Sequence, residues 1–299
     1  MTEINESLED RKLTKIISKL KVYSKAHSPD DTLIVTSSDD KGVQRNGGRA
    51  GARFAPKTIT HELGKFEAPQ NISLIKTVEL CSEIKKKSFN DIQIESKDKL
   101  STLLKSNFKS LIHLGGGHDH IYPLLMAIQE DERYERCLII NIDAHTDTRV
   151  EEFSHSGTPF RQFDKNSNKT FSLLQLGVRL ATNNKKNFSE LNTGSMHCLP
   201  FYKDNDLEPA LEFINEHKQG GTAIILSIDC DGIDLADLPS VSAPNPYGTP
   251  FKLLIDLVNK IKHEVKFLGV YELNPLMDEH SNLSSKKVAW ILYNYLNGD

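Results

Sequence analysis

Short apolar runs punctuate this chain, each followed by polar or turn-forming residues. The runs TLIVTS (32–37), ISLIKTVEL (72–80), SLIHLG (110–115), CLIINID (137–143), FSLLQLGV (171–178), MHCLPF (196–201), TAIILSID (222–229) and VKFLGVYEL (265–273) read as β-strands. Several are almost continuously apolar, as strands are when helices cover both faces of a parallel sheet. Between or after them lie the amphipathic stretches DHIYPLLMAIQEDERY (119–134), LEPALEFINEH (207–217), FKLLIDLVNKIKH (251–263) and KKVAWILYNYLN (286–297). Leu253, Leu257 and Ile261 recur at helical spacing, while Lys252 and Lys260 fall on the other face. The alternation predicts an α/β protein with three α/β/α layers and about eight mostly parallel strands.

Two longer segments, DDKGVQRNGGRAGARFAP (39–56) and VEEFSHSGTPFRQFDKNSNK (150–169), show neither period and read as irregular loops. Loops of that length in a compact domain are usually functional rims. A chain of 299 residues is long enough for one domain or two. With no repeat, low-complexity tract or linker to divide it, a single catalytic domain over 1–299 is expected.

Composition excludes several partners. The balance of 38% hydrophobic and 26% charged residues is ordinary for a globular protein, and a net charge of −4 gives no general affinity for nucleic acid or an anionic membrane. Basic runs such as EIKKKS (83–88) read as solvated faces. The four cysteines, Cys81, Cys137, Cys198 and Cys230, form no CxxC pair and support neither a thiolate zinc site nor a disulfide framework. MTEINESLEDRKLTK lacks the apolar core of a signal peptide, and no apolar run approaches the roughly 20 residues that cross a bilayer. A cytoplasmic protein acting on a small molecule is the expectation.

Three strand ends carry the chemistry. SLIHLGGGHDH places His118 just past one strand, CLIINIDAHTD places Asp143, His145 and Asp147 at the end of another, and AIILSIDCDGID places Asp229 and Asp231 at the end of a third. Ligands of open parallel sheets bind beyond the carboxyl ends of the strands, so the three clusters are expected to converge. In extended chain, residues i and i+2 share a face, which pairs Asp229 with Asp231 and Asp143 with His145. Four carboxylates and two imidazoles in one volume need neutralising cations. The number of donors suits two divalent ions, and a carboxylate-rich set without thiolate favours Mn²⁺ over Zn²⁺. Paired ions roughly 3.5–4 Å apart activate water, so hydrolysis is the expected reaction class.

With GGGHD, DAHTD, SIDCDGID and the flanking GGRAGARFAPKTI and YELNP in hand, the chain resembles the arginase, agmatinase and formimidoylglutamase family, the ureohydrolases, over most of its length. That resemblance implies an eight-stranded, mostly parallel sheet and a pair of Mn²⁺ ions. It implies that His118, Asp143, Asp147 and Asp229 hold one ion and that Asp143, His145, Asp229 and Asp231 hold the other, Asp143 and Asp229 bridging. Activated water would attack an amidine or guanidine carbon, Asp147 would relay a proton to the departing amine, and Glu272 would hydrogen-bond the cationic head of the substrate. A ring-like homo-oligomer is also implied.

Within the family the chain is most like formimidoylglutamase. It has GGGHD rather than GGDHS, Arg149 following the ligands in DTR, and Ser156 in HSGTPF where arginases and agmatinases carry a shuttling histidine; His155 lies one position earlier. Asp119 stands where many formimidoylglutamases have Glu. N-formimidoyl-L-glutamate carries two carboxylates and calls for cationic donors. Arg149 is the first candidate, with Arg49, Arg53 and Arg161 also on or beside the rim loops. The alternatives are a guanidine hydrolase releasing urea and a metal-binding relative without turnover.

Overall fold

The computed structural model describes residues 31–67, 75–81, 84–278 and 281–297; the N-terminal stretch read above, and residues 72–74 of the second predicted strand, lie outside them. The eight strands are β1 (Thr32–Ser37), β2 (Ile75–Glu79), β3 (Ser110–Gly115), β4 (Arg136–Ile142), β5 (Phe171–Leu176), β6 (Gly194–Leu199), β7 (Thr222–Asp229) and β8 (Phe267–Tyr271). They form one sheet in the order β2-β1-β3-β8-β7-β4-β5-β6, and every pairing is parallel, where the sequence predicted mostly parallel.

Alternate residues of the central strands feed two cores. Ile140, Leu174, Leu226 and Leu268 pack with residues of α2 (Ala55–Leu63), α6 (Leu207–His217), α7 (Phe251–Ile261) and α8 (Leu283–Leu296). Ile139, Leu173, Ile225 and Phe267 pack on the other side with residues of α3 (Phe89–Leu104), α4 (Ile121–Gln129) and α5 (Pro159–Asn166). Burial on both faces accounts for the uninterrupted apolar runs and completes the three layers.

The two segments read as irregular loops are only partly so. The first contains a short helix, α1 (Lys41–Arg45), and the second contains α5. Pro159 opens α5, where a missing N–H costs nothing, and Phe160 and Phe163 anchor it in the core three residues apart. Its polar remainder masked that helical period in the sequence.

Register carries the sheet into the site. Asn141 pairs with Ser227, Ile228 with Val270, and Leu114 with Val270, so β3, β8, β7 and β4 end together as four adjacent strands. After β7, the turn at Cys230–Gly232 brings Gly232 against the β4 end: a Cβ there would lie 2.6 Å from Asp143 Cα. We therefore expect Gly232→Ala to displace the Asp143 backbone, lowering stability by about 1–3 kcal/mol and weakening metal retention; denaturant unfolding and metal analysis measure both.

Candidate metal centre

The four neighbouring strands deliver one group each to a common volume. His118 follows β3 in the turn His118–His120, Asp143 follows β4, Asp229 ends β7 and Glu272 follows β8. His118 Nδ1 lies 2.8 Å from Asp147 Oδ2, 3.0 Å from Asp229 Oδ2 and 3.4 Å from Asp143 Oδ2. His145 Nδ1 lies 3.3 Å from Asp231 Oδ1 and 3.5 Å from Asp143 Oδ1. The six expected ligands therefore fall into two sets sharing Asp143: His118, Asp143, Asp147 and Asp229, and Asp143, His145 and Asp231. Asp229 groups with the first set; its expected second role, as a bridge, rests on the resemblance. His118 and Asp143 are fully buried, whereas the His145 side chain keeps 19% exposure, so the second set faces outward.

This donor set fits small cations. Imidazole and carboxylate oxygens are the ligands that hard to intermediate divalent metals take. Buried His118 Nδ1 and Asp231 Oδ1 have no polar neighbour to satisfy them beyond the titratable groups of the cluster itself. The free edge of His118 faces three carboxylates, an arrangement that repels unless a proton or a metal ion lies between them.

Ionisation of the metal-free cluster shows the same need. The charge of Asp231 is the main influence on His145; with Asp143 it outweighs burial and pushes the imidazole up to about 12. Burial alone would lower His118, but hydrogen bonds to Asp143, Asp147 and Asp229 raise it well above the usual histidine range. Burial, then the charges of Asp231 and Asp143, push Asp229 far up; burial and Asp143 raise Asp147. Burial also acts most strongly on Asp143, yet its bonds to His118 and His145 hold it below the normal carboxylate range. Without metal, protons take the place of cations.

Neighbouring groups fix the ligands. Asp143 Oδ1 accepts from the His145 amide at 2.7 Å, and Asp229 Oδ1 accepts from the Asp231 amide at 2.9 Å, the same local turn at two strand ends. His118 Nε2 and Ser227 Oγ are 2.8 Å apart, which leaves Nδ1 as the edge for an ion. The His118 ring stacks on Tyr271 at 5.1 Å between centroids; the Tyr271 hydroxyl bonds His113, which in turn bonds Ser37 on β1. Two expected functional residues have left-handed backbones, Asp147 at φ 49° and Glu272 at φ 63°, a conformation that costs on the order of 1–3 kcal/mol for residues with a Cβ. Glu272 is held there by its amide donating to Gly116 O at 2.8 Å and its carboxylate accepting from the His118 amide at 2.9 Å. Burial first, then the charge of Asp231, pushes Glu272 up to about 8.

A cavity of about 250 Å³ opens at this cluster and is lined by His145, Asp147, Asp229, Asp231 and Glu272 together with Asn46, Arg149, Ser156 and Ser242. Among the lining residues described, Arg149 is the one arginine. Arg161 is buried and holds the backbone at Thr148, Ser189 and Glu190; Arg53 pairs with Asp40 at 3.4 Å; the Arg49 guanidinium donates to the Ser242 carbonyl. His155 is not among the lining residues: its Nδ1 accepts from the Gly157 amide at 3.0 Å and its Nε2 lies 3.1 Å from Glu151.

Asp119 does not cap a helix; it sits within the His118–His120 turn beside Asp39 and His120. The His120 Nε2 lies 3.5 Å from Asp39 Oδ2 and 3.9 Å from Asp119 Oδ2. Burial opposes a charge on His120, but Asp119 and Asp39 push it up to about 9, making a buried cation between two carboxylates that ties the β3 turn to the segment after β1.

Sequence reasoning missed Asn46, Ser227, Tyr271 and Ser242. Ser227 was reachable, since it stands two residues before Asp229 on the same face of a strand. Tyr271 and the rim residues depend on long-range packing and left no local signal.

Metal titration of the metal-free protein should release protons, because His118 and His145 must give theirs up to bind. Affinity therefore rises with pH, and calorimetric heats differ between buffers of different ionisation enthalpy; pH-independent binding would contradict this. Asp143→Ala and Asp229→Ala are each expected to lose both ions, and His118→Ala chiefly one. An Asp229→Ala protein that keeps an ion in metal analysis would confine Asp229 to the first set.

Residues 33–297 match the arginase family. Formimidoylglutamase from Staphylococcus aureus is 30% identical over 300 residues, covering 95% of this chain and 91% of that protein. Among solved structures, formimidoylglutamase from Bacillus subtilis superposes with a TM-score of 0.78 at 21% identity, covering 99% of this chain and 95% of that one. Trypanosoma cruzi formiminoglutamase with Mn²⁺ gives 0.75 at 22% identity, over 94% and 96%. With that match extending across the sheet and every strand end of the metal centre, the chain belongs to the arginase family.

Proposed function

We propose that this protein is a binuclear-manganese hydrolase of formimino compounds that converts N-formimidoyl-L-glutamate and water to L-glutamate and formamide. The observation that carries the reading is a single cavity lined both by carboxylates of the candidate metal centre with Glu272 and by Arg149 and Ser156. A substrate with a cationic amidine head and an anionic tail matches that polarity. Similarity to proteins named formimidoylglutamase, and to one solved with Mn²⁺, supports the substrate and the metal.

His118, Asp143, Asp147 and Asp229 would hold one ion, and Asp143, His145, Asp229 and Asp231 the other. Bound there, the pair would supply water activated as a nucleophile toward the amidine carbon. Glu272 orients the amidine head through its free carboxylate oxygen, the other being held by the His118 amide. Asp147, at the cavity wall, passes a proton to the departing amine so that glutamate leaves as the ammonium form. Arg149 takes a tail carboxylate, and Ser156 offers a hydroxyl beside it.

His155 has both ring nitrogens engaged, which weighs against a histidine shuttle of the guanidine-hydrolase kind. Retention of all six ligand residues and Glu272 weighs against a relative without turnover. The reading includes a single catalytic domain, a cytoplasmic setting and a homo-oligomer. Cys137, Cys198 and Cys230 form no disulfide, and among the described residues no helix is long and apolar enough to cross a membrane.

Mn²⁺-loaded protein offered N-formimidoyl-L-glutamate, arginine, agmatine and guanidinobutyrate in parallel should yield glutamate and formamide from the first alone. Urea from any of the others would replace this reading with a guanidine hydrolase. Glu272→Gln is expected to lower kcat/KM by about 10²-fold, as loss of a charged contact to the reacting head does, while metal content stays at the wild-type level.

A further inference from the structure

Asn46 caps the C-terminal end of α1 with its amide bonded back to Gly42 and Val43, and it lines the same cavity as His145, Asp147, Asp229 and Asp231. Its carboxamide makes two bonds across the rim: Oδ1 accepts from Arg149 Nη1 at 2.8 Å, and Nδ2 donates to Ser156 Oγ at 3.2 Å. We propose that Asn46 is a specificity-determining positioning residue, an uncharged brace that fixes Arg149 and Ser156 as one carboxylate-receiving edge while leaving the positive charge of Arg149 unspent. This inference rests on the formimino amino acid reading and deepens it by naming the residue that makes the tail end anion-selective.

The surroundings show that this edge is built as a unit. The Ser156 amide donates to Gly42 O at 3.2 Å, joining the 149–157 loop to α1, and the Arg149 amide donates to Gly157 O at 3.1 Å, closing that loop on itself. A Cβ on Gly157 would lie 3.0 Å from Arg149 Nε and 3.2 Å from its Cδ, so a side chain there would press on the arginine. A guanidinium has five donors in a planar fork. Committing one to Asn46 immobilises it and leaves other donors for a carboxylate.

Charge explains why an amide suits this position. Asp147, Asp229 and Asp231 are carboxylates whose charge the two ions would offset, which leaves Arg149 as the one guanidinium among the lining residues to receive an anionic tail. An aspartate at 46 would accept the same bond from Nη1 but would form an ion pair, neutralise the guanidinium and place a like charge where the tail carboxylate arrives. The difference between Asn and Asp at one position thus separates geometry from charge.

The test compares wild type, Asn46→Asp and Asn46→Ala, all Mn²⁺-loaded, with matched unfolding midpoints and metal content. Each is assayed on N-formimidoyl-L-glutamate and on its tail diamide, and each is titrated with L-glutamate by calorimetry. Asn46→Asp should raise KM for the diacid about 10- to 100-fold, the equivalent of one charge-assisted contact, with little change in kcat and little change toward the diamide. Glutamate binding should weaken in parallel, and Asn46→Ala should fall between. Equal KM for the diacid in wild type and Asn46→Asp, or equal loss on diacid and diamide, would overturn the proposal. If wild type turns over neither substrate, the reading of the reaction fails separately: glutamate binding lost in Asn46→Asp still supports the brace, and binding unchanged overturns it.

Discussion

Four aspartates, Asp143, Asp147, Asp229 and Asp231, share one nearly dry volume, and their mutual repulsion is the constraint that the surrounding structure answers. Without metal the cluster holds protons on His118, His145 and neighbouring carboxylates, a substitute that neutralises charge but satisfies few lone pairs. Divalent ions answer both needs. Metal binding, protonation and local order at the strand ends are therefore one equilibrium here rather than three.

Holding such a cluster ready requires rigidity behind it. The candidate ligands stand at the ends of β3, β7 and β4, with Glu272 at the end of β8, and alternate residues of these four adjacent strands fill cores on both sides of the sheet. Behind His118 lies the Ser227 bond on one side and the Tyr271 ring on the other, and Tyr271 is itself tied through His113 to Ser37 on β1. Against this frame the left-handed backbones of Asp147 and Glu272 can be sustained, since hydrogen bonds to Gly116 and His118 over-determine Glu272. The strain sits where the chemistry is expected.

The rim is built differently. It comes from segments without sheet register, those around Asn46 and Ser156 being joined by their side chains and by the backbone at Gly42, and Ser242 being joined to Arg49. Specificity in such an arrangement depends on a few polar contacts between loops, whereas the metal end depends on strand positions. Arg161 illustrates the difference: it belongs to the same rim sequence as Ser156, yet its guanidinium is consumed by backbone carbonyls and serves the loop rather than the cavity.

The strands, the layers and the residues that cluster as candidate metal ligands were legible in sequence because each is a local pattern. Apolar runs mark strands buried on both faces, and the i, i+2 spacing of Asp143 with His145 and of Asp229 with Asp231 follows from extended backbone. The helix α5 escaped because two phenylalanines among polar neighbours give too little period, and α1 because it is five residues long. Only the tertiary structure decided that β3, β8, β7 and β4 are neighbours, which arginine reaches the cavity, and that Asn46 meets Arg149 and Ser156. Those facts depend on contacts between residues up to about a hundred or more positions apart, where side-chain direction is set by packing and by the order of strands, and no local spacing encodes either.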